Sequence, residues 1–166
     1  MNDDDPSRGL TQVAQTGWLA RVASAAEARQ VRPVYRLAHP SPGLLIEITP
    51  ILSAGAAAAW ARRLLGLTEK AAEAALAASD ANPPDLLFLP YLAGERSPFV
   101  DTDVRGAFLG LDAGHPPAAL YYAVLEGVGL AIRANLDVID PAGASPIRLV
   151  GGGAKSAVWP QMLADI

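Results

Sequence analysis

The chain has 166 residues, with 13 Lys plus Arg against 17 Asp plus Glu, 51% hydrophobic residues and no cysteine. That length suits one ordinary domain or a piece of a larger one, and the apolar fraction excludes a disordered polymer. A net charge of −4, with no basic run longer than Arg62-Arg63, argues against a nucleic acid or an anionic membrane as the main partner. Without cysteine there is no disulfide framework, thiolate nucleophile or cysteine-based zinc site, and two isolated histidines leave little for a metal. Any metal is expected to be Mg²⁺ brought by a substrate. The acidic start lacks the basic and apolar regions of a secretory signal, and the longest apolar stretch, residues 51–61, falls short of the roughly 20 residues that a membrane helix needs. The expectation is a soluble, cytoplasmic protein.

Residues 1–10 read as a disordered acidic tail. Short β-rich segments follow at 18–22, 33–39 and 44–48, with Ser41-Pro42-Gly43 as a turn, which predicts a hairpin or small meander. Residues 51–65 change to helix-forming composition, with Trp60 and Leu64 on one face and Gly66 placed to stop the helix. A second helix is predicted from Thr68, whose hydroxyl suits an N-cap, to about Ser79. Asn82-Pro83-Pro84 breaks it, and residues 86–89 have the length of a buried strand. Residues 91–111 read as an ordered loop with one short strand near 107–109. The longest helix spans 117–140 and is closed by Pro141 and Gly143. A strand at 147–150, three glycines and a helix from Ser156 to Ile166 complete the pattern, and the last helix is still building its apolar face where the chain stops.

Two constellations carry chemistry. Glycines at the strand-to-helix turn, Gly151 to Gly153, allow close backbone approach, and a helix N-terminus offers N–H groups to an anion. A nucleotide fits that geometry, although the triplet matches neither the dinucleotide fingerprint nor a P-loop, and a plain tight turn explains it equally. In the loop FLPYLAGERSPFVDTDVRGAFLG, the charged residues Glu95, Arg96, Asp101, Asp103 and Arg105 could reach a polar ligand; the physical reading favours internal ion pairs that hold the loop. Glu126, mid-helix among apolar residues, is expected to pair with Arg105 or Arg96. Trp18, Trp60 and Trp159 read as core, and neither His39 nor His115 has an orienting carboxylate.

These segments resemble the C-terminal domain of the FGGY carbohydrate kinases, the family of xylulose, gluconate, ribulose and glycerol kinases. The resemblance runs through Gln15 to Ala20, Ile51 to Gly55 with Trp60, Phe88 to Pro98, Arg105 to Leu111, Ala123 to Val128, and Val150 to Ser156 with Trp159 and Gln161. It covers residues 11–166 in family order, and both ends read as cut, with the N-terminal sugar-binding domain absent. It implies an α/β chain with part of an actin-like, ribonuclease H-like ATPase fold, of which this is the C-terminal domain only. It also implies ATP and Mg²⁺ as cofactors and an enzyme that transfers the γ-phosphoryl group to a sugar hydroxyl, D-xylulose first and gluconate as the alternative.

By motif match, Gly151, Gly152, Gly153, Ala154 and Lys155 belong to the ATP site, Gly110 lies near its phosphates, and Gln15, Thr16 and Gly17 form a phosphate turn. Lys155 could equally point to solvent. The catalytic aspartate is expected in the absent domain, so no catalytic residue and no metal ligand is assigned here; Asp3, Asp4 and Asp5 read as a solvated tail. The family threonine that faces the phosphates is replaced by Gln15, and Ala119 stands where a polar residue usually caps the long helix. The partners implied are ATP and, through the absent domain, a sugar. The fragment alone is expected to be inactive, and its exposed surface predicts self-association, a homodimer included. A degenerate, non-catalytic nucleotide-binding or interaction module is the alternative from another class.

Overall fold

The computed structural model describes residues 9–13, 16–26, 33–80, 83–143 and 146–166. In chain order the elements are β1 (Gly9–Val13), β2 (Gly17–Ser24), β3 (Tyr35–Ala38), β4 (Leu44–Ile51), α1 (Ala54–Leu64), α2 (Glu69–Asp80) and β5 (Leu87–Leu89). They continue with β6 (Ala107–Leu109), α3 (Pro117–Ile139), β7 (Ile147–Gly151), a 3-10 turn (Gly152–Lys155) and α4 (Trp159–Asp165). One sheet has the order β3-β4-β2-β1-β7, antiparallel except for the parallel β1–β7 pair; β5 and β6 form a separate antiparallel pair. This mixed sheet carrying helices bears out the expected α/β architecture.

Register decides which loops meet. Val13 pairs with both Gly17 and Gly151, and Gly17 pairs in turn with Ile51. The end of β1, the start of β2, the start of α1 and the glycine turn after β7 therefore lie at one end of the sheet. Along β2 and β4 the period of two buries Leu19, Ala23, Glu47, Thr49 and Ile51 on one face. Glu47, 1% exposed, lies in register between Arg21 and Arg36, with N···O distances of 2.8 and 3.2 Å. A carboxylate at that depth is tolerated only because two guanidinium groups face it.

Helix α1 buries Ala54, Ala57, Ala58 and Ala61, side chains small enough for close helix packing. Gly66 ends it with a φ of +65°, its N–H donating to the Arg63 carbonyl and that of Leu67 to the Arg62 carbonyl. The Thr68 hydroxyl accepts the Ala71 N–H, as a cap should. Helix α3 starts from Pro116 and Pro117 without a side-chain cap, consistent with Ala119 being unable to supply one. Its residues Val124, Leu125 and Val128 are buried, each worth about 1.5–3 kcal/mol of apolar transfer. It packs on β2 and β4, and α1, α2, β5 and α4 pack around it. Phe88 of β5 stacks on Trp60 at 5.7 Å between ring centroids and tilts against Phe108 at 4.6 Å.

Three expectations need correction. Strand β1 begins at Gly9, inside the stretch read as tail, because β7 supplies a partner that local composition could not reveal; residues 1–8, with Asp3 to Asp5, lie outside the described residues. Leu64 does not share a buried face with Trp60; it is 62% exposed, since the alanines make the contact. Helix α4 begins at Trp159 and not at Ser156; Val158 is its N-cap, and the Ser156 hydroxyl accepts the Trp159 N–H from outside the helix. Among the described residues, no helix is long and apolar enough to cross a membrane.

A methyl group on Gly127 would overlap the carbonyl oxygen of Phe88, which is backbone and cannot swing away. At Gly129 it would meet only side-chain ends, those of Ile166 and Leu163, which can give way. Gly127→Ala is expected to destabilise the fold by about 2–3 kcal/mol in urea unfolding and Gly129→Ala by about 1 kcal/mol or less; equal losses would contradict the close approach of α3 to β5.

Candidate functional site

The end of the sheet where β1, β2, β4 and β7 align opens into a cleft of about 790 Å³. One wall is α1, through Gly55, Ala58 and Ala59 and, further along, Arg62. The opposite wall is the glycine turn, through Gly152, Gly153 and Lys155, continued by Ser156, Ala157 and Trp159. Helix α2 contributes Glu69 and Glu73, and α3 closes the floor with Tyr121 and Leu125. Glycine and alanine walls admit a flat group at van der Waals distance, while the charged side chains come from the helix ends and the turn.

The structure brings Gly152, Gly153 and Lys155 into this cleft. A Cβ on Gly152 would meet nothing within 4 Å, so that position opens into space. Gly151 ends β7 with a φ of +95°, a conformation that needs glycine, and Ala154 is exposed on the turn; neither lines the cleft. Gly110 is also elsewhere: it turns the chain after β6 with a φ of +83°, where a Cβ would sit 3.2 Å from the Asp85 carbonyl oxygen. Thr16 and Gly17 stand at the same end of the sheet as the cleft, and Gln15 lies outside the described residues.

The turn is held from α2. One Glu73 oxygen accepts the Ser156 hydroxyl at 2.9 Å and the Ala157 N–H at 3.2 Å. The Ser156 oxygen accepts the N–H groups of Val158 and Trp159 at 3.3 and 3.1 Å, and the Trp159 indole N–H donates to the Leu125 carbonyl at 3.3 Å. The donors expected at the start of the last helix are thus already used, that of Trp159 by Ser156 and those of Gln161 and Met162 by the Val158 carbonyl, while Pro160 has none. The groups this turn leaves open to the cleft are the glycine backbone and Lys155. Sequence reasoning missed Glu73, Glu69, Arg62 and Tyr121; two glutamates four residues apart on an alanine-rich helix read as a solvated face until α3 packs beside it.

The charged loop does not hold itself by ion pairs. Glu95 is 1% exposed, and one of its oxygens accepts the N–H groups of Arg96 at 2.8 Å and Leu52 at 3.2 Å, tying the loop to the start of α1. Burial pushes its carboxyl above the ordinary carboxylate range, opposed by the backbone N–H groups of Arg96, Leu52 and Ser97. Asp101 accepts the N–H groups of Asp103 and Val104, and Arg105 donates to the carbonyls of Thr102 and Val104. With its guanidinium committed to backbone, Arg105 forms no pair with Glu126, and the exposed Arg96 forms none either. Glu126 is half-buried, and burial pushes its pKa up. His39 and His115 each accept a backbone N–H within a local turn; Asp112 does lie 3.4 Å from His115, but neither histidine lines the cleft. Trp60 and Trp159 belong to the core, with Trp18 half-buried on the sheet.

Glu73→Ala removes two charge-assisted hydrogen bonds at a partly exposed site, so a loss of about 1–2 kcal/mol is expected, with faster amide exchange at Ala157 in hydrogen-exchange measurements. For Glu95 the sign follows from its raised pKa. The buried carboxyl is no burden below its unfolded-state pKa, and stability is lost as pH rises through the folded-state value. Glu95→Gln keeps an acceptor for Leu52 and Arg96 without the charge. Relative to wild type it should therefore gain stability between acidic and neutral pH; parallel stability curves would contradict this.

Residues 21–166 match the C-terminal domain of the FGGY family of carbohydrate kinases. The chain is 36% identical over 165 residues to the xylulose kinase of Escherichia coli (strain K12), covering 98% of this chain and 34% of that protein. It is 43% identical over 84 residues to the gluconokinase of Bacillus subtilis (strain 168), covering 49% of this chain and 16% of that one. The crystal structure of xylulose kinase from Rhodospirillum rubrum superposes with a TM-score of 0.79 at 33% identity, over 97% of this chain and 33% of that chain. The chain thus spans about a third of the length of these two xylulose kinases, and the fold they share is the actin-like ATPase fold. By motif, by sequence and by superposition, this chain belongs to the FGGY family of carbohydrate kinases.

Proposed function

We propose that this chain is the nucleotide-binding part of a kinase that phosphorylates D-xylulose, with the cleft between α1 and the glycine turn as the ATP site. The observation that carries the reading is the meeting of Gly152 and Gly153 with Gly55 and its alanine neighbours across one cleft, at the end of the sheet where Thr16 and Gly17 also lie. The cleft's volume, about 790 Å³, lies within the usual range for small-molecule and cofactor sites. Bare glycine backbone on one side and alanine on the other suit an adenosine ring system, and Lys155 at the turn suits a phosphate. When bound, ATP with its Mg²⁺ supplies a γ-phosphoryl group for transfer to a sugar hydroxyl. This chain's residues bind and orient the nucleotide; the sugar and the catalytic base belong to another part of the protein, so the chain alone is inactive. Xylulose is preferred over gluconate because the xylulose kinase relative matches nearly the whole chain and the gluconokinase about half of it.

Calorimetric titration with Mg·ATP tests the site. Wild type is expected to bind at millimolar affinity or tighter, and Gly152→Val to lose binding while melting at the wild-type temperature, because its side chain enters open space. Folded protein that does not bind would favour a degenerate interaction module instead. Joined to a sugar-binding domain, the chain should support phosphorylation of D-xylulose with a higher kcat/KM than of gluconate.

A further inference from the structure

Tyr121 lines the cleft from α3 and is only 4% exposed, yet its hydroxyl has no hydrogen-bond partner among the described residues. A phenol at that depth ordinarily has one, because an unmade hydrogen bond is costly. Nor is this hydroxyl sealed in the protein: the enclosed side-chain atoms without partners belong to Arg36, Thr49, Glu95, Ser97 and Asn135, and Tyr121 is not among them. The group is reachable through the cleft. Burial pushes its pKa up, with Arg62 opposing and Glu73 and Glu69 adding to the shift, so at neutral pH it is a protonated donor. Those three side chains also line the cleft, and none of them bonds to it.

Its place in the cleft assigns the ligand atom class. Gly55 and the glycine turn lie at the sheet end, while Arg62 stands two turns further along α1, about 10 Å at 1.5 Å per residue. Tyr121 lines the floor one turn of α3 before Leu125; its charged neighbours are Arg62, Glu69 and Glu73, and Glu73 is bonded to Ser156 and Ala157 just after the glycine turn. An adenosine ring system set between the glycines and the alanines of α1 stands over that floor and faces the tyrosine.

We propose that Tyr121 is a specificity-determining residue of the site: its hydroxyl donates a hydrogen bond to an acceptor atom on the nucleoside of the bound nucleotide. This rests on the reading of the cleft as the nucleotide site. The test is calorimetric titration of wild type and Tyr121→Phe, both shown to melt cooperatively, with ATP, adenosine and inorganic tripolyphosphate. The variant is expected to bind ATP and adenosine more weakly by one common factor, about 3- to 10-fold, with tripolyphosphate affinity unchanged. Its melting temperature should not fall, because the hydroxyl makes no bond within the protein. Unchanged ATP and adenosine affinities would overturn the assignment. So would a loss seen with ATP and tripolyphosphate but not adenosine, a wild type that binds ATP but no adenosine, or a variant that melts lower. A folded wild type that binds none of the three ligands would overturn the nucleotide-cleft reading itself, and this assignment with it.

Discussion

Helix α3 lies against β5 only because Gly127 presents no side chain to the Phe88 carbonyl, and the placement of most other elements follows from that approach. A helix buried on most of its surface needs partners all round: β2 and β4 beneath it, α1 and α2 beside it, α4 near its centre. Phe88, drawn in by the same contact, carries Trp60 on one side and Phe108 on the other, so the small β5–β6 pair is fastened to α1 through aromatic rings. Loosening that point would move the floor and one wall of the cleft together.

The cleft is a product of two independent constraints. Sheet register brings four strand ends to one edge, which sets the glycine turn beside the start of α1. Packing of α2 and α3 then adds Glu69, Glu73 and Tyr121, none of which is close in sequence to the glycines. The turn is rigid because Glu73, Ser156, Trp159 and the Leu125 carbonyl form one chain of hydrogen bonds from α2 to α3. A hydroxyl that donates once and accepts twice, as Ser156 does, leaves little freedom to the backbone that follows it.

The charged loop shows why charge counting is a poor guide to contacts. Five ionisable residues within eleven positions suggested ion pairs, yet Asp101 and Arg105 satisfy backbone groups one to three residues away. Local bonds of this kind order few atoms, whereas an exposed ion pair must hold two long side chains for little gain. Glu95 is the exception in depth and not in kind: it too bonds to backbone, but to that of Leu52, across the fold.

The elements with strong local signals were legible in the chain alone: α1 with its glycine stop, the Thr68 cap, the Ser41-Pro42-Gly43 hairpin, the short strand at Ala107, and the long α3. So was the family, because its motifs are runs of adjacent residues. Gly152, Gly153 and Lys155 could be named for the same reason. What only the tertiary structure decided were contacts between residues far apart in sequence: β1 against β7, Leu64 turned outward, Gly110 away from the cleft, Glu126 unpaired, and Tyr121 facing the cleft with its hydroxyl free. Local sequence encodes capping, period and turn geometry, which depend on neighbours within a few residues. Which side chains share a cleft depends on register and helix packing, which emerge only when the whole chain closes on its core.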